Sequence, residues 1–186
     1  ASSCIPPESA IIPLSPYGAA KAADELYITT YGRLHDLSYA ILRYGNIYGP
    51  RQDPLGEAGV IAIFANAMLT GGEINIYGSG EQLRDYVFVE DVVSANVAAL
   101  NAPESVAANV GTGVGTSVNE LFRKMASITG YAKGPILCPR RPGELEATYL
   151  DGAKAERLLG WKPANDLETG LEKTVEYFRA HLPKRV

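Results

Sequence analysis

The octet Leu37-Ser-Tyr-Ala-Ile-Leu-Arg-Tyr44 limits the fold more than any other stretch of the chain. Apolar and aromatic residues fill both of its alternating sets of positions, which predicts a strand buried on both faces, as strands of a parallel sheet are. Just before it, Ala20, Ala23, Leu26, Tyr27, Tyr31 and Leu34 recur at three- and four-residue steps, the period of an amphipathic helix from Tyr17 to about Leu34. Pro6, Pro7 and Pro13 keep the preceding segment out of helix interiors and central strands, so it reads as a loop. That loop delivers Ser15 as an N-cap and Pro16 as the first helical residue. Helix and doubly apolar strand in close succession indicate an α/β chain.

The same alternation continues. Val60 to Leu69 has helical spacing and ends at Gly71-Gly72, Ile74 to Tyr77 reads as a short strand, and Gly78-Ser79-Gly80 as a tight turn. Arg84 to Val89 leads into a helix opened by Glu90-Asp91 and running to about Ala102, followed by a strand and turn over Ala108 to Gly113. Ser117 and Glu120 match a capping box for a helix to about Thr129. The turn glycines Gly111 and Gly113 fit neither Gly-x-Gly-x-x-Gly nor a Gly-Lys-Ser/Thr phosphate loop. Asp151 to Leu159, then Gly160 to Pro163 with Trp161 as a core anchor, and a helix from Leu167 to about His181 close the chain.

With 186 residues, 46% hydrophobic and 20% charged, the chain can bury a real core as one domain or two small lobes. A net charge of −4 argues against a nucleic-acid surface, because such surfaces carry a basic stripe. Cys4 and Cys138 are far apart and in no metal or redox spacing, which points to a reducing compartment, the cytoplasm by default. No membrane span or signal peptide is read from the sequence, and no metal site is expected. His35 and His181 are isolated.

Tyr17 and Lys21 stand one helical turn apart, so a phenol and an ammonium face the same way. A phenol with its ordinary pKa near ~10 is protonated at neutral pH and a poor base. A nearby cation favours the phenolate; a lowering of about three units requires roughly 4 kcal/mol of differential interaction. The product is a proton acceptor suited to a hydroxyl. Spacing alone is weak, since 11 Tyr and seven Lys give about 0.4 such pairs by chance, and the context carries the reading.

That context is Ser2-Ser3 upstream, the Ser15-Pro16 helix start, and Arg43-Tyr44-Gly45-Asn46-Ile47-Tyr48-Gly49-Pro50-Arg51 past the octet. Together these resemble the extended short-chain dehydrogenase/reductase family, specifically its nucleotide-sugar epimerases and dehydratases. The longer string through Gln52-Asp53-Pro54 and on to Gly56 and Val60 is similar to the UDP-glucose 4-epimerases of that family. Leu159-Gly160-Trp161-Lys162-Pro163 ahead of a final helix resembles another family hallmark.

The resemblance implies the C-terminal part of a Rossmann-like parallel sheet plus a smaller α/β substrate-binding lobe. Residues 1–46 would be the tail of an NAD-binding domain and 47–186 mainly a nucleotide-sugar lobe, with 86–113 returning to the Rossmann sheet. It implies NAD as cofactor, a UDP-hexose as partner, and a homodimer packed through the helix after Ser15, although that helix's apolar stripe would serve equally against a sheet. The implied activity is epimerisation at C4 through a transient 4-keto sugar. Tyr17 would be the base, Lys21 would tune it and hold the nicotinamide ribose, Ser3 would orient the sugar hydroxyl, and Tyr44 would lie beside the nicotinamide. Asn46, Arg84 and Arg141 would grip the diphosphate, Tyr77 would stack on the base, and Glu144 would reach the ribose hydroxyls.

Plainer readings stand beside these. Arg84 could pair with Asp85, Tyr77 could be a core aromatic, and Arg140-Arg141-Pro142-Gly143-Glu144 could be a solvated turn. The sequence also departs from the family. Glu144 replaces an Asp and adds a methylene, and the interval from Ser3 to Tyr17 is short. Cys4 and Ile5 follow Ser3 where the dehydratases place an acid and a base, which argues against water elimination. The glycine-rich dinucleotide turn is missing, so we expect the 186-residue chain by itself to be an inactive C-terminal part of something larger. A reductase, decarboxylase or dehydratase of the same fold, or a non-catalytic module that binds a nucleotide sugar without NAD, are the competing readings.

Overall fold

Ser15 starts the first long helix as its sequence predicts: its Oγ accepts the backbone N–H of Gly18 at 3.0 Å, and Pro16 follows at the first helical position. The computed structural model describes residues 4–5, 13, 15–55, 59–141 and 143–181. Strand β1 (Cys4–Ile5) precedes helix α1 (Pro16–His35), which is followed by β2 (Ala40–Tyr44), β3 (Asn46–Tyr48) and α2 (Val60–Thr70). Then come β4 (Asn75–Tyr77), β5 (Leu83–Arg84), β6 (Tyr86–Phe88), α3 (Val89–Leu100), β7 (Val106–Val110) and β8 (Thr116–Ser117). The chain continues through α4 (Val118–Thr129), β9 (Ile136–Cys138), β10 (Ala147–Leu150), α5 (Ala153–Leu159) and α6 (Leu167–His181). Ser117 caps α4 by accepting the N–H of Glu120 at 3.1 Å. Among the described residues, no helix is long and apolar enough to cross a membrane.

The architecture is α/β with parallel pairing nearly throughout. β2 pairs with β7, β3 with β6, β4 with β9, and β10 with both β1 and β5, all parallel; the short β8 runs antiparallel to β5. One step in this pattern positions the site. Gly45 donates its N–H to Val110 O at 2.9 Å, and Asn46 donates to Asp85 O at 2.6 Å, so at Gly45 the chain changes partner from β7 to β6. Glycine is required there by close approach, since a Cβ would lie 2.8 Å from Asp85 O.

Two apolar clusters hold the elements. The larger packs α2, α4 and α6 against β3, β4 and β6, with Phe64, Phe88, Leu121, Met125 and Leu171 fully buried. The smaller joins α3, β7 and α5 through Ala95, Val106, Ala108, Val110, Ala155 and Trp161. Trp161 is the anchor expected of it: its Nε1 donates to Asp91 O and Ser94 Oγ, both at 2.9 Å.

The structure corrects the sequence reading in three places. β2 is not buried on both faces: Ile41 is buried, but Ala40 and Tyr44 are exposed, and Ala40, Leu42 and Tyr44 border an open groove against α3. On its other face Arg43 is held by Glu25 of α1 through two contacts of 2.8 and 2.7 Å, a charged pair where an apolar layer was expected. In α1 only Gly32 is buried, so the stripe is uncovered in this chain, Leu26 at 68% and Leu34 at 71% exposure. Finally β1 lies in a stretch read as loop, and β5, β8, β9 and β10, of two to four residues each, carried no periodic signal of their own.

Candidate functional site

Ligands of open α/β sheets bind beyond the carboxyl ends of strands where the strand order changes, and Asn46 is the first residue past the switch at Gly45. A cleft of about 420 Å³ opens there. Asn46, Tyr77, Arg84, Arg141 and Glu144, the five residues read as substrate contacts, all form part of its wall. Ile63 and Phe64 of α2 supply apolar surface on another side. An apolar cleft with a few convergent polar groups is the usual form of a small-molecule site.

Arg141 stacks on Tyr77, with its guanidinium carbon 3.9 Å from the ring centre. Arg84 is fixed from below: Nη1 donates to the carbonyls of Leu83 and Leu145 at 2.8 and 2.9 Å, and Nη2 stands 3.7 Å from Glu144 Oε1. The same carboxylate oxygen accepts from Gln82 Nε2 at 3.3 Å, and Gln82 also donates to Tyr77 O at 3.0 Å. Arg140 donates to Glu144 O at 2.9 Å and pairs with Glu146 at 3.2 Å, tying the basic loop back onto itself. A recess of about 260 Å³ adjoins the cleft and shares Tyr77, Gln82 and Glu144 with it.

Asp85 is not the partner of Arg84. It is 1% exposed and its carboxylate accepts from Thr112 N, Thr112 Oγ1, Gly113 N and Leu150 N at 2.7 to 3.1 Å. Strand alternation turns Asp85 inward while Arg84 and Tyr86 meet the cleft. This also accounts for the turn at Gly111 to Gly113: its amides already bind an anion, the chain's own carboxylate, which leaves them none for a phosphate.

The remaining candidates lie apart. Lys21 Nζ is 5.9 Å from the centre of the Tyr17 ring, as one helical turn dictates, but it also contacts Asp24 Oδ2 at 2.9 Å. That hydrogen bond to Asp24, above all, keeps the Lys21 ammonium above its ordinary pKa, with a smaller push from Tyr17. Tyr17 is 75% exposed on α1 and is not among the side chains that wall the cleft. Tyr44 donates its hydroxyl to Asn96 Oδ1 at 2.9 Å in the groove beside α3. Ser3 lies outside the described residues.

Gln82 and Tyr86 are among the cleft residues that escaped the sequence reading. Their signal was alternation, since Gln82, Arg84 and Tyr86 fall two apart on one extended segment. Burial pushes the Tyr86 phenol up to about 12, a rise that nearby Arg84 partly offsets.

Residues 3–111 match the family described as the NAD dependent epimerase/dehydratase family. A putative UDP-glucose 4-epimerase of Methanocaldococcus jannaschii is 49% identical over 169 residues, 91% of this chain and 55% of that protein. The crystal structure of UDP-glucose 4-epimerase from Thermotoga maritima with UDP-glucose is similar at a TM-score of 0.96 and 49% identity, covering 98% of this chain and 59% of that one. The UDP-glucose 4-epimerase of Thermus thermophilus in complex with NAD is similar at a TM-score of 0.84 and 43% identity, over 92% of this chain and 56% of that one. The chain thus spans about half the length of the curated relatives it matches. On the extent of that match, and on a fold shared nearly end to end with these structures, the chain belongs to the NAD-dependent epimerase/dehydratase family.

Proposed function

We propose that this chain is the nucleotide-sugar half of a UDP-hexose 4-epimerase that uses NAD. The observation that carries the reading is the convergence of Asn46, Tyr77, Arg84, Arg141 and Glu144 on one cleft at the strand switch. Their chemistry suits a nucleoside diphosphate: two guanidiniums and an amide for the phosphates, an aromatic face for the base, and a carboxylate for ribose hydroxyls. We divide the chain into a Rossmann part, residues 1–46 with 86–113, and a lobe made of the rest; two separate apolar clusters suit two units, although Tyr86 and Phe88 pack in the larger cluster and Ala155 and Trp161 in the smaller, across that boundary.

The residues present fit the nicotinamide end of NAD. A phenol and an ammonium share one exposed face of α1, and Tyr44 lies at the end of β2. The turn at Gly111 to Gly113 does not supply a pyrophosphate site, because Asp85 occupies it. When bound, NAD supplies a reversible two-electron acceptor for the sugar carbon. Tyr17 takes the proton of the sugar's 4-hydroxyl, and Ser3 orients that hydroxyl. Lys21 holds the nicotinamide ribose and favours the phenolate, exchanging Asp24 for these partners. Asn46, Arg84 and Arg141 keep the diphosphate fixed while the keto sugar turns and is reduced on its other face.

The stripe of α1, with Leu26, Tyr27, Tyr31 and Leu34 exposed, supports a homodimer formed through this helix, and the cytoplasm is the compartment we assign. The five contacts read for the nucleotide sugar all lie in this chain, and no glycine-rich dinucleotide turn occurs in its sequence, so we expect it by itself to bind UDP without turnover. The decisive experiment is Tyr17→Phe in the intact protein, assayed with UDP-galactose. A general base contributes about 10²–10⁴-fold, and a loss of that size is expected. Activity within about tenfold of wild type, under ~1.4 kcal/mol of barrier, removes Tyr17 from the role.

A further inference from the structure

Tyr86 carries a hydroxyl that has no hydrogen-bond partner among the described residues, although the residue is only 5% exposed. Buried polar groups are nearly always paired, so an orphan in the wall of a binding cleft marks a group whose partner arrives from outside. Gln52 Oε1 and Thr148 Oγ1 are orphaned too, but neither residue borders the cleft. Tyr86 does, and its neighbours there are specific. Asn46 is its direct register partner across the β3–β6 pair, and Arg84 precedes it by two residues on the same side of the extended segment.

We propose that the Tyr86 hydroxyl donates a hydrogen bond to a diphosphate oxygen of the bound nucleotide sugar, completing with Asn46 and Arg84 a three-donor cradle for the anion. This rests on the reading of the cleft as a nucleoside-diphosphate site and adds to it a residue taken otherwise for core. The ring packs in the larger cluster and fixes the oxygen in place. Burial pushes the phenol up to about 12, so at neutral pH it is a neutral donor that complements the charge of Arg84. A rigid, desolvated donor loses little freedom on binding, which is why such a group strengthens an anion site out of proportion to its charge.

The test is Tyr86→Phe in the intact protein, with UDP and uridine titrated by calorimetry and the ligand-free protein melted alongside. Removing the hydroxyl is expected to weaken UDP about tenfold, ~1.4 kcal/mol, to leave uridine within about twofold, and to leave the ligand-free midpoint unchanged or raised. Unchanged UDP affinity overturns the proposal. An equal loss for uridine does so as well, placing the contact on the nucleoside, and a lowered ligand-free midpoint means the hydroxyl is already satisfied without ligand. Wild-type protein that binds neither compound sinks the nucleotide reading of the cleft itself, an outcome distinct from these.

Discussion

Arg141 lies over the ring of Tyr77, its guanidinium carbon 3.9 Å from the ring centre. One face of the tyrosine is therefore taken by a cation, which leaves the other for a nucleobase. On the proposed reading, the ring holds the guanidinium where it can reach a phosphate. Tyr77→Ala is expected to weaken UDP by about 1–3 kcal/mol through lost stacking, and Tyr77→Phe by far less. Because the two groups touch, a double-mutant cycle with Arg141→Ala should show a coupling of about 0.5–1 kcal/mol in UDP binding. Strictly additive losses would mean that the stack plays no part in binding.

Glu144 and Arg84 stand 3.7 Å apart in the cleft wall, so the free protein partly neutralises the arginine proposed to hold the diphosphate. Glu144→Gln separates the two roles of the carboxylate. Inorganic pyrophosphate has no ribose and should bind a few-fold tighter to the variant, a modest gain because the pair is only partly buried. UDP should gain less, or lose affinity, since the ribose contact proposed for Glu144 goes with the carboxylate. Pyrophosphate affinity that stays the same, measured at low and at moderate salt, would show that Glu144 does not restrain Arg84.

Sequence was most informative where a side chain acts on backbone a few residues away. Ser15 and Ser117 cap helices through bonds that span three residues, and Gly71 ends α2 in the left-handed conformation; each is legible in a short window. Asn46, Arg84 and Arg141 became candidates through motifs, and their meeting in one cleft is a property of the chain crossing at Gly45. Asp85 shows what the sequence withholds. Its hydrogen-bond donors lie 27 to 65 residues away, so nothing beside it indicates that it turns from Arg84 to a distant turn. β9 and β10 were invisible for a similar reason: three or four residues become a strand only because β4 and β5 are there to pair with them.

The α1 stripe yields a prediction about assembly. Leu26 and Tyr31 lie on the exposed apolar face, outside the contact between Glu25 and Arg43 that ties the helix to β2. On the proposed assembly, the intact protein sediments as a dimer and Leu26→Asp shifts it to monomer in sedimentation velocity, with the far-ultraviolet circular dichroism unchanged. A variant that stays dimeric at micromolar concentration would place the subunit interface elsewhere.

Asp85 makes a last prediction, about what holds the cleft in shape. Its carboxylate collects two amides and a hydroxyl from the turn at Thr112 and Gly113, and a third amide from Leu150 in β10. It lies between Arg84 and Tyr86, so the polar groups facing the cleft are pinned through the residue that faces away from it. Asp85→Asn keeps the size but turns an NH₂ toward backbone amides, which only donate, leaving buried N–H groups unpaired. The expected cost is about 2–4 kcal/mol of folding free energy by urea denaturation, at an unchanged denaturant slope. Thr112→Val removes the hydroxyl that donates to Asp85 and accepts from Val114 N, and should cost about 1–2 kcal/mol. UDP affinity should fall with Asp85→Asn even where the fold remains fully populated, because Arg84 and Tyr86 lose their common support. Asp85→Asn within about 1 kcal/mol of wild type would mean that β10 and the turn are held by backbone pairing alone, and that the cleft does not depend on this carboxylate.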